Sequence, residues 1–338
     1  MICASAPGRA GIIGNPTDGY GGTLISCAID RRAKVTLAEA EKTVIENEGL
    51  QCALHIPDDY RNRGDAFDIA RSVLRFFNLY DRKLHITITT DIPKQAGLAG
   101  STAVLSALLR AVMAYLDIKI NNYMFAEINR FVELNHMKMQ CGYQDAYMTT
   151  FGGLNYLDFR GKEHYREWDE EDYGTVEPLG ERVGRLPFVI AHTGVSHVSG
   201  DVHRPLRERW MEGDPAVMSA YNRIAAIARE GKKALLEENW ERLAELMTEN
   251  HELQDRLSPS GQEVARLIIA AMNAGASAAK LAGAGGGGTV IALTFDAERT
   301  LAAMSEAGAA EFVGLAPLAE GAVLVSKDTD YSIFSALG

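Results

Sequence analysis

Between Leu84 and Thr90 apolar and polar residues alternate: Leu84, Ile86 and Ile88 are interleaved with His85, Thr87 and Thr89. A period of two marks a strand with one buried face, here ending at Asp91-Ile92. Downstream the period changes, and Val104, Leu105, Leu108, Val112, Met113 and Leu116 recur at helical spacing. A helix over 101–117 with one apolar face is therefore predicted. The first 48 residues read as strands around Ile12-Ile13, from Gly22 to Ile29, from Ala33 to Ala38 and from Thr43 to Glu46, before a helix at 65–78. Helices are also predicted at 122–139 and 143–150, after which Gly152-Gly153 turns the chain into a strand over 154–159. Residues 160–183 are dense in charge, as in Trp168-Asp169-Glu170-Glu171-Asp172, and show no apolar periodicity. That stretch is a natural boundary between lobes at 1–165 and 185–338, or else a surface loop within one. The second half opens with an apolar strand, Leu186 to Ala191, and continues with helices at 214–232, 235–257 and 261–274. A strand from Ala278 to Leu281, a strand over 289–294, a helix at 296–307 and a final strand at 322–326 complete an α+β pattern.

A chain of 338 residues with 47% hydrophobic content can bury two cores. Its formal charge of −11 argues against a nucleic-acid surface, which shows a basic patch. The acidic residues are spread along the chain, as on solvated faces. Cys3, Cys27, Cys52 and Cys141 form no C-x-x-C pair, so neither a disulfide framework nor a zinc site is expected and a reducing cytoplasm fits. Met1 to Ser5 lacks the basic and apolar regions of a signal peptide, and no apolar run nears the roughly 18 residues that span a bilayer. No membrane partner is expected.

The most informative stretch joins the strand at 84–91 to the helix at 101–117: Pro93-Lys94-Gln95-Ala96-Gly97-Leu98-Ala99-Gly100-Ser101-Thr102-Ala103. A glycine loop running into a helix start offers backbone N–H groups and the positive helix end to an anion, typically phosphate. Ser101 and Thr102 stand where a hydroxyl could cap the helix or ligate magnesium. Gly100 occupies the position where a Walker A loop needs Lys, and the G-x-G-x-x-G pattern is absent, so the two commonest nucleotide folds are disfavoured.

Two further motifs flank this loop. Ala6-Pro7-Gly8-Arg9-Ala10-Gly11-Ile12-Ile13-Gly14-Asn15-Pro16-Thr17-Asp18-Gly19-Tyr20 lies near the start, and Leu281-Ala282-Gly283-Ala284-Gly285-Gly286-Gly287-Gly288 near the end. In this order the trio resembles the superfamily of galactokinase, homoserine kinase, mevalonate kinase and phosphomevalonate kinase (GHMP), whose motifs read P-G-R/K, P-x-x-x-G-L-x-S-S-A and G-x-G-G. Within it, Gly14 to Tyr20 resembles the G-N-P-S-D-x-Y of glucuronokinases, and Ile92 to Thr102 their I-P-R-Q-x-G-L-S-G-S-S. Gly142-Tyr143-Gln144-Asp145, with Phe151-Gly152-Gly153-Leu154, and the segment from Val202 to Asp214 are similar to further stretches of those enzymes. Thr102 stands where Ser is usual and keeps the hydroxyl; Ala146 stands where those enzymes carry Arg.

The resemblance implies a two-lobed fold, with a ribosomal-protein-S5-like first lobe and a ferredoxin-like second one. It implies transfer of the γ-phosphoryl of ATP, with Mg2+, to the anomeric hydroxyl of a monosaccharide, glucuronate before others. The alternatives are a kinase acting on galactose, a heptose or mevalonate, and a non-catalytic relative that binds sugar or nucleotide. A homodimer is admitted as the assembly. Lys94, Gln95, Ala96, Gly97, Leu98, Ala99, Gly100, Ser101 and Thr102 would hold the nucleotide. Ser101 and Glu133, or less favourably Glu127, would meet the metal. Asp145 is the expected catalytic carboxylate, just past Gly142 where a helix start stabilises it. Arg9 is the cation that would favour its charged form and stabilise the transferring group. Asn15, Thr17 and Asp18 read as hydroxyl-recognising acceptors or as turn chemistry. A uronate carboxylate would need an Arg, with Arg204, Arg207 and Arg209 all available. His136 and His251 lie on helix patterns and read as structural.

Overall fold

The computed structural model describes residues 1–162, 170–195, 199–283 and 288–327, the side chains of 199–204 excepted. The first strand, β1 (Ile2–Ile13), is buried along its whole length. Only its end was predicted, because a strand covered on both faces shows no alternation, and this one is built largely of small residues that let other backbone approach. It pairs antiparallel with β2 (Thr23–Glu39), one bent strand where two were predicted. Register shifts at Pro7/Arg9 and Gly11/Ile13 bend the pair, and β2 changes partner along its length. Its first part pairs with β6 (Leu154–Asp158) and its second with β5 (Leu84–Thr90). A hairpin of β3 (Thr43–Asn47) and β4 (Leu50–Leu54) extends the sheet through a parallel β3–β5 ladder, and β7 (Thr175–Pro178) adds to β6.

Helices α1 (Asp68–Phe76), α2 (Gly100–Tyr115), α3 (Asn122–Phe131) and α4 (Gln144–Phe151) pack with this sheet, α2 carrying the largest apolar inventory. The helix predicted over 122–139 ends at Phe131 and continues as a wider π-type turn, Val132–His136, closed by Met137 N–H to the Val132 carbonyl at 2.9 Å. Such turns re-aim side chains and collect at functional sites; this one carries Glu133.

The second sheet has the order β11-β8-β10-β9, from β8 (Phe188–His192), β9 (Ala278–Leu281), β10 (Thr289–Leu293) and β11 (Glu311–Val313), all antiparallel. Between β8 and β9 come α5 (Ser199–Met211), α6 (Pro215–Leu236), α7 (Trp240–Leu257) and α8 (Gln262–Asn273), and α9 (Ala297–Glu306) precedes β11. This is the β-α-β-β-α-β arrangement of a ferredoxin-like lobe. The last strand, β12 (Val323–Lys327), does not join that sheet but pairs antiparallel with β1. One apolar core therefore runs from Ile2 and Ile13 to Ile227, Leu246 and Ile291.

Candidate active site

β1 delivers Arg9 into the space between the glycine loop and α4. Its backbone N–H donates to the Leu98 carbonyl at 3.0 Å, and Nη1 donates to the Gly97 carbonyl at 2.5 Å. Nε and Nη2 both reach Asp145 Oδ1, at 2.7 and 2.5 Å. Arg9 is buried, whereas the Asp145 side chain keeps 30% of its surface. Asp145 sits in the first turn of α4, and among the described residues no donor engages its Oδ2.

The loop before α2 alternates in handedness, with positive φ at Gln95 (52°), Gly97 (71°) and Ala99 (60°). Ala99, not a hydroxyl residue, is the N-cap of α2, and no side chain caps the helix. Ser101 and Thr102 lie inside the first turn instead. Among the described residues no acceptor meets the amides from Gly97 to Thr102, so a row of N–H groups is left open at the positive end of a 16-residue helix. Lys94 and Gln95 are exposed, Lys94 paired with Glu48, while Ala96, Leu98 and Ala99 are buried. The second glycine segment braces the loop from behind. A Cβ on Gly288 would lie 2.7 Å from the Ala96 carbonyl oxygen, which also accepts from Thr289 Oγ1 at 2.8 Å. A Cβ on Gly283 would lie 3.3 Å from the Gly97 oxygen; residues 284–287 of the glycine cluster lie outside the described residues.

Glu133 is buried beside this loop and accepts from Thr102 Oγ1 at 3.0 and 3.2 Å. Thr102, not Ser101, thus makes the hydroxyl contact to this carboxylate; Ser101 is half-buried with its hydroxyl unengaged among the described residues. Burial and then the neighbouring Asp145 charge push the Glu133 carboxyl up to about 7, against the pull of Thr102, Arg130 and Arg9. Glu127 points elsewhere, into a buried pair with Lys162 at 2.9 Å. Among the described residues no three His, Cys, Asp or Glu side chains converge as a metal cage. Magnesium takes few protein ligands when phosphates supply the rest. A buried carboxylate facing a second carboxylate, with two hydroxyls in the adjoining helical turn, is an oxygen donor set that fits it.

Asn15, Thr17 and Asp18 are placed differently from one another. The Asn15 side chain is buried between Gly283, to whose carbonyl it donates, and Lys280, whose Nζ donates to Oδ1 at 3.1 Å. Thr17 Oγ1 donates to the Gly14 carbonyl at 2.7 Å. Asp18 reaches α4: its Oδ2 accepts from the Gln144 N–H at 2.9 Å, against Gly142. Beside it opens a cleft lined by Asp18, Tyr20, Gln140, Cys141, Gly142 and Arg207. Burial and Asp18 push the Tyr20 phenol up to about 12, against the pull of Arg207. Arg207 Nη1 donates to Gln140 Oε1, whereas Arg209 is held by Asp214 at 2.8 Å; the side chain of Arg204 lies outside the described residues. His136 packs on Phe76, with ring centroids 5.4 Å apart, as a structural residue does.

Lys280 and Gln140 are absent from the sequence-based candidates. The signal for Lys280 was present: a lone cation in the apolar strand Ala278-Ala279-Lys280-Leu281. Lys280 is fully buried, and burial pushes its ammonium down to about 7. It also donates to the Leu281 carbonyl at 2.5 Å, tying the first glycine motif to the third.

Known proteins resemble this chain in sequence and fold. Residues 66–153 match the model of the GHMP kinases N terminal domain and residues 232–310 that of the GHMP kinases C terminal. Glucuronokinase 1 of Arabidopsis thaliana is 28% identical over 303 residues, covering 82% of this chain and 81% of its own length. The mevalonate kinase of Methanothermobacter thermautotrophicus is 30% identical over 292 residues, covering 86% and 89%. The structure of Lactococcus lactis galactokinase complexed with galactose superposes with a TM-score of 0.74 at 17% identity, over 95% of this chain and 94% of that one. With its motifs meeting at one site and both family domains matched, the chain belongs to the GHMP kinases, ATP-dependent phosphotransferases that act on alcohol groups of small molecules.

Proposed function

We propose that this kinase phosphorylates the anomeric hydroxyl of a monosaccharide, with glucuronate the first candidate. The observation that carries the reading is the convergence of Arg9, Asp145 and the open amides of the α2 N-terminus. Phosphoryl transfer asks for positioning and charge neutralisation more than covalent chemistry. The loop from Lys94 to Thr102 binds the β-phosphate through its backbone. Asp145 Oδ2, which meets no donor among the described residues, accepts the hydrogen bond of the acceptor hydroxyl and takes or orients its proton. Arg9 pairs with Asp145 through Oδ1 and, being joined to Gly97, sets the carboxylate at a fixed place relative to the phosphate loop. Glu133, with Ser101 and Thr102 beside it, would hold Mg2+, which when bound neutralises charge on the nucleotide phosphates. Glucuronate is favoured by the motifs at 14–20, 92–102 and 142–154 and by the Arabidopsis relative. Mevalonate is the second reading, favoured by the identity to the Methanothermobacter enzyme.

The test is acceptor-dependent ADP release from Mg-ATP with glucuronate, galacturonate, galactose, mannose, heptose and mevalonate, the product located by phosphorus NMR. A sugar 1-phosphate from glucuronate is expected. Turnover of mevalonate alone would replace the sugar reading, and silence with ATP still bound would remove the catalytic one.

A further inference from the structure

We propose that Arg207, steadied by Gln140 across the cleft from Asp18, is the anchor for a carboxylate on the acceptor and makes this kinase selective for a monoanionic hydroxy acid. The inference rests on the kinase reading above and goes beyond it in assigning the acid-binding residue.

The chain is acidic, with 45 Asp and Glu against 34 Lys and Arg, so carboxylates are available to many of its arginines. Arg9, Arg63, Arg71, Arg209, Arg223 and Arg242 each have one. Arg207 has none among the described residues: its Nη1 meets the neutral amide of Gln140, and the nearby Glu208 and Glu212 make no ion pair with it. The position is built rather than incidental. On either side of Arg207 in α5, Leu206 is buried with Val217, Tyr221 and Ile224, and Trp210 packs on Tyr20 with centroids 5.2 Å apart. Those contacts pin the helix and leave the guanidinium at the cleft wall. The remaining N–H groups form the planar fork that suits a carboxylate.

The charge balance selects the anion. Asp18 is buried in the same cleft, Glu208 and Glu212 line the adjoining cavity with Arg207, and all three repel an acidic ligand, while one guanidinium offsets one negative charge. A carboxylate of charge −1 is neutralised; a phosphate ester of charge near −2 is left with an unmatched charge facing Asp18. Asp18 gives its Oδ2 to the Gln144 N–H and keeps Oδ1, which meets no donor among the described residues, for a ligand hydroxyl. Gln140 and Arg207 line both this cleft and the adjoining cavity of about 370 Å³, so Arg207 reads the acid from the larger space and Asp18 a hydroxyl beside it.

The experiment uses the full chain and compares glucuronate, mevalonate, the neutral analogue glucuronamide and the dianion glucose 6-phosphate, in wild type, Arg207→Met, Arg207→Lys and the control Arg209→Gln. In wild type an acid should be preferred over glucuronamide and glucose 6-phosphate. Arg207→Met should raise KM for that acid about 30-fold, the scale of a lost charge-assisted hydrogen bond, with kcat within about threefold and glucuronamide unaffected. Arg207→Lys should recover part of the loss, which separates recognition from misfolding, and Arg209→Gln should match wild type. An unchanged ratio of acid to amide kcat/KM in Arg207→Met, or a wild type that prefers the amide or the phosphate ester, would overturn the anchor and leave the kinase standing. Calorimetry with a non-hydrolysable ATP analogue separates the remaining case of no turnover. Acid binding that vanishes in Arg207→Met would keep the anchor and discard the phosphotransfer reading; no acid binding in wild type would discard the anchor.

Discussion

Asp145 leaves its two oxygens for different tasks: Oδ1 is shared by two nitrogens of Arg9, and Oδ2 meets no donor among the described residues. Asp145→Asn keeps the shape and removes the charge that takes or orients a hydroxyl proton. A fall in kcat of about 10²–10⁴-fold is expected, with ATP affinity changed by less than about threefold. Steady-state kinetics beside nucleotide binding would check it, and an Asn variant turning over at the wild-type rate would remove the assigned role. Lys280 carries a second prediction at this scale. In the unfolded chain its ammonium titrates near 10.5; in the folded protein burial brings it to about 7. Above about pH 7 the unfolded chain holds one more proton than the folded one, so raising the pH favours folding, by at most about 1.4 kcal/mol per unit. Below that pH both states are protonated and the effect disappears. The buried Cys27 thiol, pushed up to about 12, works in the opposite direction once unfolded cysteines ionise near pH 9. Glu133, held up at about 7, also works in the opposite direction until it is ionised near pH 8, so the window to read is about pH 8 to 8.5. Urea midpoints should rise there in wild type and stay flat in Lys280→Met; matching slopes in the two proteins would show that Nζ keeps its proton.

The N-terminus of α4 shows what a single glycine permits. An ideal Cβ on Gly142 would lie 1.9 Å from Asp18 Oδ2, so Gly142→Ala must drive the carboxylate away from the Gln144 N–H it caps. Losing such a cap costs about 1 kcal/mol, and the acceptor KM should rise about tenfold while the ATP KM, set by the other end of the site, stays within about twofold. Equal effects on both would place Asp18 outside acceptor recognition. The elements that carry the site were legible where one face was apolar: β5, α2, α4 and β10 lie within a few residues of the predicted spans. β4, β7 and β11 escaped because strands of three to five residues show too little of a period. α5 escaped because its sequence is polar and interrupted by Pro205. The π-type turn after α3 was invisible for a different reason. It is defined by a hydrogen bond one residue too long, and the buried Glu133 on it reads as polar surface until Thr102 is seen to face it.

On the scale of the whole molecule the motif order announced a two-lobed α+β kinase, but not how the site is held from outside. β12 returns to β1 from the far end of the chain, a pairing no local pattern encodes. Behind α3 and α4, Lys162 is buried with Glu127 at 2.9 Å and Glu171 at 3.1 Å, and its ammonium lies 4.7 Å from the Tyr143 ring centroid. Tyr147, two residues beyond Asp145 on α4, donates to Glu127 at 2.5 Å and accepts from the Gly174 N–H at 2.8 Å. The network thus fastens residues 171–174 to the helix that carries the catalytic carboxylate. In sequence these residues were a run of charges suited to solvent, and the tertiary fold alone turns them into a buried ion cluster. Removing one partner of such a cluster costs more than the cluster contributes, because the remaining charges stay buried. Lys162→Met should therefore destabilise the protein by about 3–5 kcal/mol. Lys162→Met combined with Glu127→Gln should cost less than the sum of the single variants, since the second change removes a charge the first left without its ammonium. Denaturant unfolding of the four proteins measures the coupling. Additive losses would mean that water reaches the cluster once Lys162 is gone, and that α4 is held by its apolar face alone.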